Sequence, residues 1–318
     1  MNRIWNISSD AEFETITLET FLFQAHNCPP YGQYLQLIGC NPNDVKHIEE
    51  IPYLPIELFK THDIYSAKST PQAIFTSSST TGQGVARHMM AYLSDYESAF
   101  TLAFKHFYGD PSQWSIYGLL PSYLEREGSS LIYMVDRLIH QCGSGGFYLD
   151  NYPKLIADIA LDPKPKILLG VSYALWDLAE KYAPKLSDTI VMETGGMKGH
   201  RQEIPKVEFH KILCDGFGVD KIHSEYGMAE LTSQAYSAGD NIFRSPAWMK
   251  VSVRDINDPF LRVSEAQRGA INIIDLASRN SCSFIQTQDV GSVFADGSFT
   301  IEGRVEHSDI RGCNLLVQ

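Results

Sequence analysis

Residues 166–196 read KILLGVSYALWDLAEKYAPKLSDTIVMETGG. Lys166–Val171 is a short apolar run of strand length, Ser172–Tyr182 reads as a helix, and Asp188–Glu193 reads as a second strand. The same alternation extends on both sides. Trp114–Leu120 and Lys221–Ser224 are strand-like, and Ser129–Gln141, Tyr152–Leu161 and Pro205–Phe217 are helical. Strand and helix in turn at this spacing predict an α/β fold, a mostly parallel sheet flanked by helices.

Toward the amino terminus, residues 8–26 and 31–39 read as amphipathic helices parted by Pro29-Pro30. A short helix is expected near Glu57–His62 and a strand at Gln72–Thr76. Ser94 and Glu97 match a capping box, so the next helix should start there and stop near Phe107, before Gly109-Asp110-Pro111. Beyond residue 240 the pattern changes to short strands at Met249–Asp255, Gly269–Leu276, Gly291–Ala295 and Ser298–Glu302, with Asp296-Gly297 as a hairpin signal. Residues 1–240 are therefore expected to form the α/β body, and residues 241–318 a β-rich subdomain packed continuously against it.

The chain has 318 residues, 44% of them hydrophobic, enough for a sizeable core. Its formal net charge of −12 argues against a general nucleic-acid binder. No apolar run reaches the ~18–20 residues of a membrane-spanning helix. The opening MNRIWNISSDAEF lacks the apolar stretch of a signal peptide. Cys28, Cys40, Cys142, Cys214, Cys282 and Cys313 are scattered with no CxxC pair, which predicts reduced thiols in a cytoplasmic protein.

Four loops can carry chemistry. Ser77-Ser78-Ser79-Thr80-Thr81-Gly82-Gln83-Gly84 sets five hydroxyls and two glycines between a strand and a helix. Such a loop can turn backbone N–H groups and hydroxyls toward phosphate, and it can equally be a polar surface loop. It matches neither the Walker pattern nor GxGxxG. Glu193–Arg201 (ETGGMKGHR) offers glycines, Lys198 and Arg201 at a strand's carboxyl end, where open α/β sheets bind ligands; a plain turn reads the same way. His223–Glu230 (HSEYGMAE) carries two carboxylates beyond another strand. A carboxylate there can hold Mg²⁺ together with substrate phosphates. Its HxE spacing lacks the PCxxC of a zinc deaminase. The last loop runs from Gln288-Asp289-Val290-Gly291 through Gly303-Arg304 to Arg311-Gly312-Cys313. Cys313 beside a guanidinium has a favoured thiolate, although a lone cysteine is more often inert.

In this order the motifs resemble the adenylate-forming superfamily of acyl and aryl-CoA ligases. Within it they are most similar to the acyl-protein synthetases of the fatty-acid reductase system of bacterial bioluminescence. The resemblance runs from Ile51-Pro52-Tyr53-Leu54-Pro55 to Cys313 and is strongest at Leu119–Met134, Glu193–Arg201, His223–Ser237 and His307–Leu315. It implies an adenylate-forming N-terminal domain without the small, lysine-bearing C-terminal domain of the CoA ligases. It implies ATP and Mg²⁺ as cofactors, with Ser78, Ser79, Thr80, Thr81 and Gly82 as the phosphate loop. Gly195, Gly196, Met197, Tyr226 and Gly227 would line the adenine, and Glu230 would bind Mg²⁺. Asp289 would take the ribose hydroxyls with Arg304 as companion, and Cys313 would accept the acyl group.

The implied reaction is activation of a fatty or related carboxylic acid as acyl-adenylate, then transfer to a protein cysteine as thioester. The recipient that the resemblance implies is an acyl-accepting protein such as an acyl reductase subunit. Phe104, Phe107, Trp114, Tyr117 and Tyr123 are candidates for an acyl pocket, many of them equally for the core. Three departures stand out. Ser79 replaces the usual glycine, the loop lysine is missing with Arg87 the nearest cation, and Ala229 replaces the threonine before Glu230. The last should remove one phosphate hydrogen bond, ~1–3 kcal/mol. Lys198, Arg87 and Arg201 are the candidate cations for adenylation. The alternatives are a CoA ligase whose small domain lies elsewhere, and a degenerate module that binds an acyl group or a partner without making the adenylate.

Overall fold

A computed structural model describes residues 3–77, 84–121, 128–197, 200–202, 204–263 and 266–305. In chain order the elements are α1 (Asp10–Asn27), α2 (Pro29–Leu37), β1 (Leu54–Pro55), α3 (Leu58–Thr61), β2 (Ala73–Thr76), β3 (Arg87–Met90) and α4 (Leu93–Tyr108). Then come β4 (Ser115–Leu119), α5 (Ser130–Cys142), β5 (Gly145–Tyr148), α6 (Tyr152–Leu161), β6 (Lys166–Val171), α7 (Ser172–Tyr182), β7 (Thr189–Thr194) and α8 (Lys206–Phe217). The chain continues through β8 (His223–Tyr226), β9 (Ala235–Ser237), β10 (Phe243–Arg244), β11 (Met249–Arg254), β12 (Gly269–Asp275), β13 (Phe284–Gly291) and β14 (Gly303–Arg304).

Among the described residues the larger sheet has the order β10-β9-β8-β7-β6-β4-β5. Strands β5, β4, β6, β7 and β8 are parallel, and β9 and β10 run antiparallel at one edge. The expected parallel α/β sheet is thus present. Its central strands β4 and β6 are buried at every position, because helices cover both faces. The aligned carboxyl ends of β6, β7 and β8 bring Val171, Thr194 and Tyr226 to one rim.

A second sheet follows the order β1-β13-β12-β11, with β14 on β13. Strand β1 joins it in parallel from far upstream. Helix α1 ties in as well, since Gln24 Nε2 donates to the carbonyls of Ser278 and Arg279 at 3.1 and 2.9 Å, and its Oε1 accepts from Ser283 N at 2.9 Å. The β2–β3 ribbon forms a separate pair.

Three expectations need correction. Residues 292–295 and 298–302 meet in a single antiparallel bridge, Val293 to Phe299, rather than as full strands. The turn at Asp296-Gly297 does form, with Gly297 at φ +78° and Phe294 N donating to Ser298 O at 2.8 Å. Its two arms pair with each other, Thr300 N donating to Ser292 O at 2.9 Å, and the second arm also pairs with the larger sheet, through Phe243 N to Phe299 O (2.7 Å) and Phe299 N to Phe243 O (3.0 Å). The strand that organises this half is β13, which the sequence reading passed over. The capping box at Ser94 does not form either. Helix α4 starts one residue earlier, where Leu93 N donates to Gln72 Oε1 at 2.8 Å, and Glu97 accepts from Tyr133 Oη instead.

No described helix is long and apolar enough to cross a membrane. The described cysteines, Cys28, Cys40, Cys142, Cys214 and Cys282, are free thiols.

Gly291 closes β13 where no side chain fits, because a Cβ there would lie 1.8 Å from the Thr300 carbonyl oxygen. Gly291→Ala is expected to lower stability by at least ~1–3 kcal/mol, read as a lower midpoint in urea unfolding.

Candidate active site

The site is built on the rim at the carboxyl ends of β7 and β8. Strand β7 ends in Glu193 and Thr194, whose side chains leave on opposite faces. Glu193 is buried beneath the glycine turn, with Ser172 Oγ donating to its Oε2 at 3.2 Å and to the Gly195 carbonyl at 3.0 Å. Burial alone would raise its carboxyl, but the ammonium of Lys206, 2.8 Å away, prevails and holds it at about 2. Gly195 takes φ +69°, which lets the chain turn without side-chain strain. Met197 is buried behind it.

Strand β8 brings Glu225 beside Thr194, whose Oγ1 donates to its Oε2. Among the described residues no cation compensates here. Burial raises the Glu225 carboxyl against the Thr194 hydrogen bond, and the negative Glu193 adds to the rise, reaching about 7. The glycine of the Tyr226-Gly227 pair follows from this packing, since a Cβ on Gly227 would sit 2.4 Å from Glu225 Oε1.

Tyr226 leaves β8 on the other face and reaches the second sheet. Its hydroxyl donates to Asp289 Oδ2 at 2.7 Å, and Arg304 Nε donates to Asp289 Oδ1 at 3.2 Å. Phe243 and Phe299 hold the Tyr226 ring edge-on at 5.9 and 5.8 Å between centroids. Burial and the Asp289 charge push the phenol well up, so it is a fixed donor. An ionised Asp offers about four acceptor positions, so two remain for a ligand.

Glu230 lies just beyond. It is buried, and burial raises its carboxyl while the charges of Arg304 and Lys60 pull it down and that of Asp289 pushes it up. These groups therefore share one electrostatic neighbourhood. Among the described residues no group of three or more His, Cys, Asp or Glu side chains could hold a metal alone. One carboxylate completed by nucleotide phosphates is the donor set that suits Mg²⁺, and Glu230 fits that part.

The structure thus brings Tyr226, Gly227, Glu230, Asp289 and Arg304 together, with Gly195, Gly196 and Met197 on the neighbouring strand end. Arg87 sits on β3 with its guanidinium on Asp63, both about half exposed. Arg201 is committed to Asp177 and Glu180 over the Trp176 ring. Ser78, Ser79, Thr80, Thr81, Gly82, Tyr123, Lys198 and Cys313 lie outside the described residues. Of the proposed acyl-pocket residues, Trp114 donates Nε1 to the Tyr108 carbonyl at 2.8 Å and Tyr117 donates to Asp162 Oδ2 at 2.8 Å, while Phe107 packs on Tyr236 at 5.3 Å.

Two residues at the site carried no signal in the sequence. Lys60, on a one-turn helix, acts electrostatically on Glu230. His88 is buried on β3, with Nδ1 2.8 Å from the Ala229 carbonyl. Neither belongs to a motif, so only the fold brings them here.

No family model and no curated protein matches the chain. Solved structures do. ATP-bound MatB from Rhodopseudomonas palustris superposes with a TM-score of 0.57 at 15% identity, over 75% of this chain and 49% of that one. A 2-hydroxyisobutyryl-CoA ligase in its postadenylation state gives 0.68 at 12%, over 93% and 68%. The amide bond synthetase McbA from Marinactinospora thermotolerans gives 0.51 at 18%, over 73% and 48%. The chain spans about half the length of MatB. At these identities the likeness is one of fold alone, an α/β fold shared with the matching parts of MatB and the 2-hydroxyisobutyryl-CoA ligase.

The Glu225 environment makes a pH prediction. Its carboxyl rises from an ordinary 4.5 to about 7, so the folded state holds a proton that the unfolded chain has lost. That contribution is fully present below 4.5, fades as pH rises through 7, and amounts to on the order of 3 kcal/mol. Glu225→Gln is therefore expected to be more stable than the native chain at pH 8 and to lose that advantage at pH 5, as read by thermal unfolding.

Proposed function

We propose that the chain is an ATP-dependent ligase that activates a carboxylic acid as its acyl-adenylate and passes the acyl group to a thiol. The observation that carries this reading is the hydrogen-bonded row Tyr226, Asp289, Arg304 beside buried Glu230 at the rim of a parallel sheet.

In this reading the turn Gly195–Met197 and the Tyr226 ring wall the adenine, and Asp289 uses its two remaining acceptor positions for the ribose hydroxyls. The substrate's carboxylate oxygen attacks the α-phosphorus. One O–P bond forms, the bond to the β-phosphate oxygen breaks, and pyrophosphate leaves with the electron pair. The obstacle is repulsion between two anions, so positioning and neutralisation are the protein's main contribution. Glu230 is the residue to hold Mg²⁺, which when bound offsets phosphate charge. Arg304 and Lys60 add positive potential at the same place. A thiolate then attacks the acyl carbon of the mixed anhydride, forming the thioester as AMP leaves.

Cys313 is the proposed thiol, from its resemblance to the near-terminal cysteine of acyl-protein synthetases, with a fatty or related acid as substrate. The second reading makes CoA the acceptor. It is favoured by the likeness, over 94% of this chain, to a 2-hydroxyisobutyryl-CoA ligase in complex with 2-HIB-AMP and CoA.

Incubation with Mg·ATP and a panel of fatty and aromatic acids, followed by intact-mass measurement, separates the readings. A hydroxylamine-labile acyl adduct that disappears in Cys313→Ser is the expected result. Acid-dependent pyrophosphate release without an adduct, but with acyl-CoA on adding CoA, would favour the second reading. No pyrophosphate with any acid would overturn ligase activity altogether. Under the ligase reading, Asp289→Asn should raise the KM for ATP roughly tenfold, the loss of one or two ribose hydrogen bonds to a charged acceptor.

A further inference from the structure

The loop from Gly227 to Gln234 carries Glu230, and two side chains from distant elements grip its main chain on either side of that residue. Upstream, His88 on β3 lies with Nδ1 2.8 Å from the Ala229 carbonyl. A carbonyl only accepts, so Nδ1 carries the proton and donates. Downstream, Asp275 at the end of β12 accepts from Thr232 N and Ser233 N on one oxygen, each at 2.9 Å. Its other oxygen takes Ser233 Oγ at 2.7 Å and Ala277 N at 3.1 Å. Between the grips Leu231 N closes a turn on the Met228 carbonyl at 3.1 Å. The bonds to residues 229 and 232 leave the Glu230 backbone little room to rotate.

We propose that His88 and Asp275 are positioning residues for Glu230, a two-sided clamp that sets where its carboxylate meets a phosphate-bound Mg²⁺. The inference rests on the reading of Glu230 as the metal-holding carboxylate. Neither residue touches the metal or the nucleotide in this scheme. Both act through the backbone, the way outer hydrogen bonds orient a ligand and tune its affinity.

The test is ATP binding by calorimetry across a Mg²⁺ series and in EDTA, on the whole chain and on His88→Phe, His88→Asn and Asp275→Asn. Thermal unfolding confirms that each variant is folded. The half-saturating Mg²⁺ concentration should rise roughly 10–100-fold in His88→Phe and Asp275→Asn, with metal-free ATP binding little changed. His88→Asn should return close to the native value, because its amide nitrogen can take the place of Nδ1. If Asp275→Asn does not fold, the two His88 variants carry the test. Mg²⁺ dependence unchanged in the folded variants would overturn the clamp. So would metal-free and Mg²⁺-dependent binding falling together, which is plain loosening, or an Asn variant no better than Phe. ATP binding by the native chain that ignores Mg²⁺ would remove both the metal role of Glu230 and the clamp. Mg²⁺-dependent binding without acid-dependent pyrophosphate release would retract the ligase reading and leave the clamp standing.

Discussion

The carboxylate of Asp275 is sealed from solvent and takes five hydrogen bonds, from Thr232 N, Ser233 N, Ser233 Oγ, Ala277 N and Ser278 Oγ. None of the five donors is charged. Leaving such a group unpartnered inside a protein is costly, so these bonds fix its place and the place of everything that donates to it. Ser233 in turn accepts from Trp248 Nε1 at 2.9 Å, which extends the knot into the second sheet. The arrangement matters because the candidate site is shared between sheets. Tyr226 and Glu230 leave from β8, whereas Asp289 and Arg304 sit on β13 and β14. Their alignment depends on how the sheets are joined. Asp275 makes the joint on one side of Tyr226, and the Phe243–Phe299 pairing makes it on the other.

Carboxylates around the rim show how far surroundings decide chemistry. Glu193 and Glu225 stand on adjacent strands, one residue out of register and on opposite faces. Glu193 meets Lys206 and stays ionised far into acid. Glu225 has one hydroxyl donor, a like charge nearby and apolar packing, so it titrates near neutrality. The ionised member lies under the glycine turn, where its charge is already spent on Lys206. In the proposed reaction the acceptors left for ribose and metal are those of Asp289 and Glu230.

Much of this was legible in the sequence, and the failures have physical causes. The stretch from 166 to 217 could be read because each strand is a compact apolar run bounded by a helix of opposite periodicity, so local pattern and tertiary role agree. Strand β13, FIQTQDVG, could not be read that way. Gln286 and Gln288 break its apolar pattern, and one of its edges is covered by β1, which lies more than 200 residues upstream. The capping box at Ser94 failed for a similar reason. Its glutamate is recruited by Tyr133 from another helix, and a glutamine from before the β2–β3 ribbon caps the helix instead. Tyr226, Glu230, Asp289 and Arg304 were singled out by their resemblance to a family's motifs, and the structure brings them together. Lys60, His88 and Asp275 were missed because nothing local marks a residue that acts on a loop more than 40 positions away.

His88 is where folding and function part company. Its Nδ1 is satisfied by Ala229, but Nε2 is buried with no hydrogen-bond partner among the described residues. Burial lowers its pKa to about 4, so the ring is neutral near pH 7 and Nε2 is a bare acceptor. An unmatched buried acceptor costs about 1–3 kcal/mol. Packing does not require it. Phe59 meets the His88 ring edge-on at 6.0 Å, a contact that a phenylalanine of similar size would make equally well without the orphaned nitrogen. What an imidazole adds over a phenyl ring is one donor aimed at one carbonyl. That carbonyl belongs to the residue before Glu230. For stability the exchange is close to even, since a phenyl ring would leave that carbonyl without its donor, so what the imidazole adds is direction: it fixes the backbone beside Glu230.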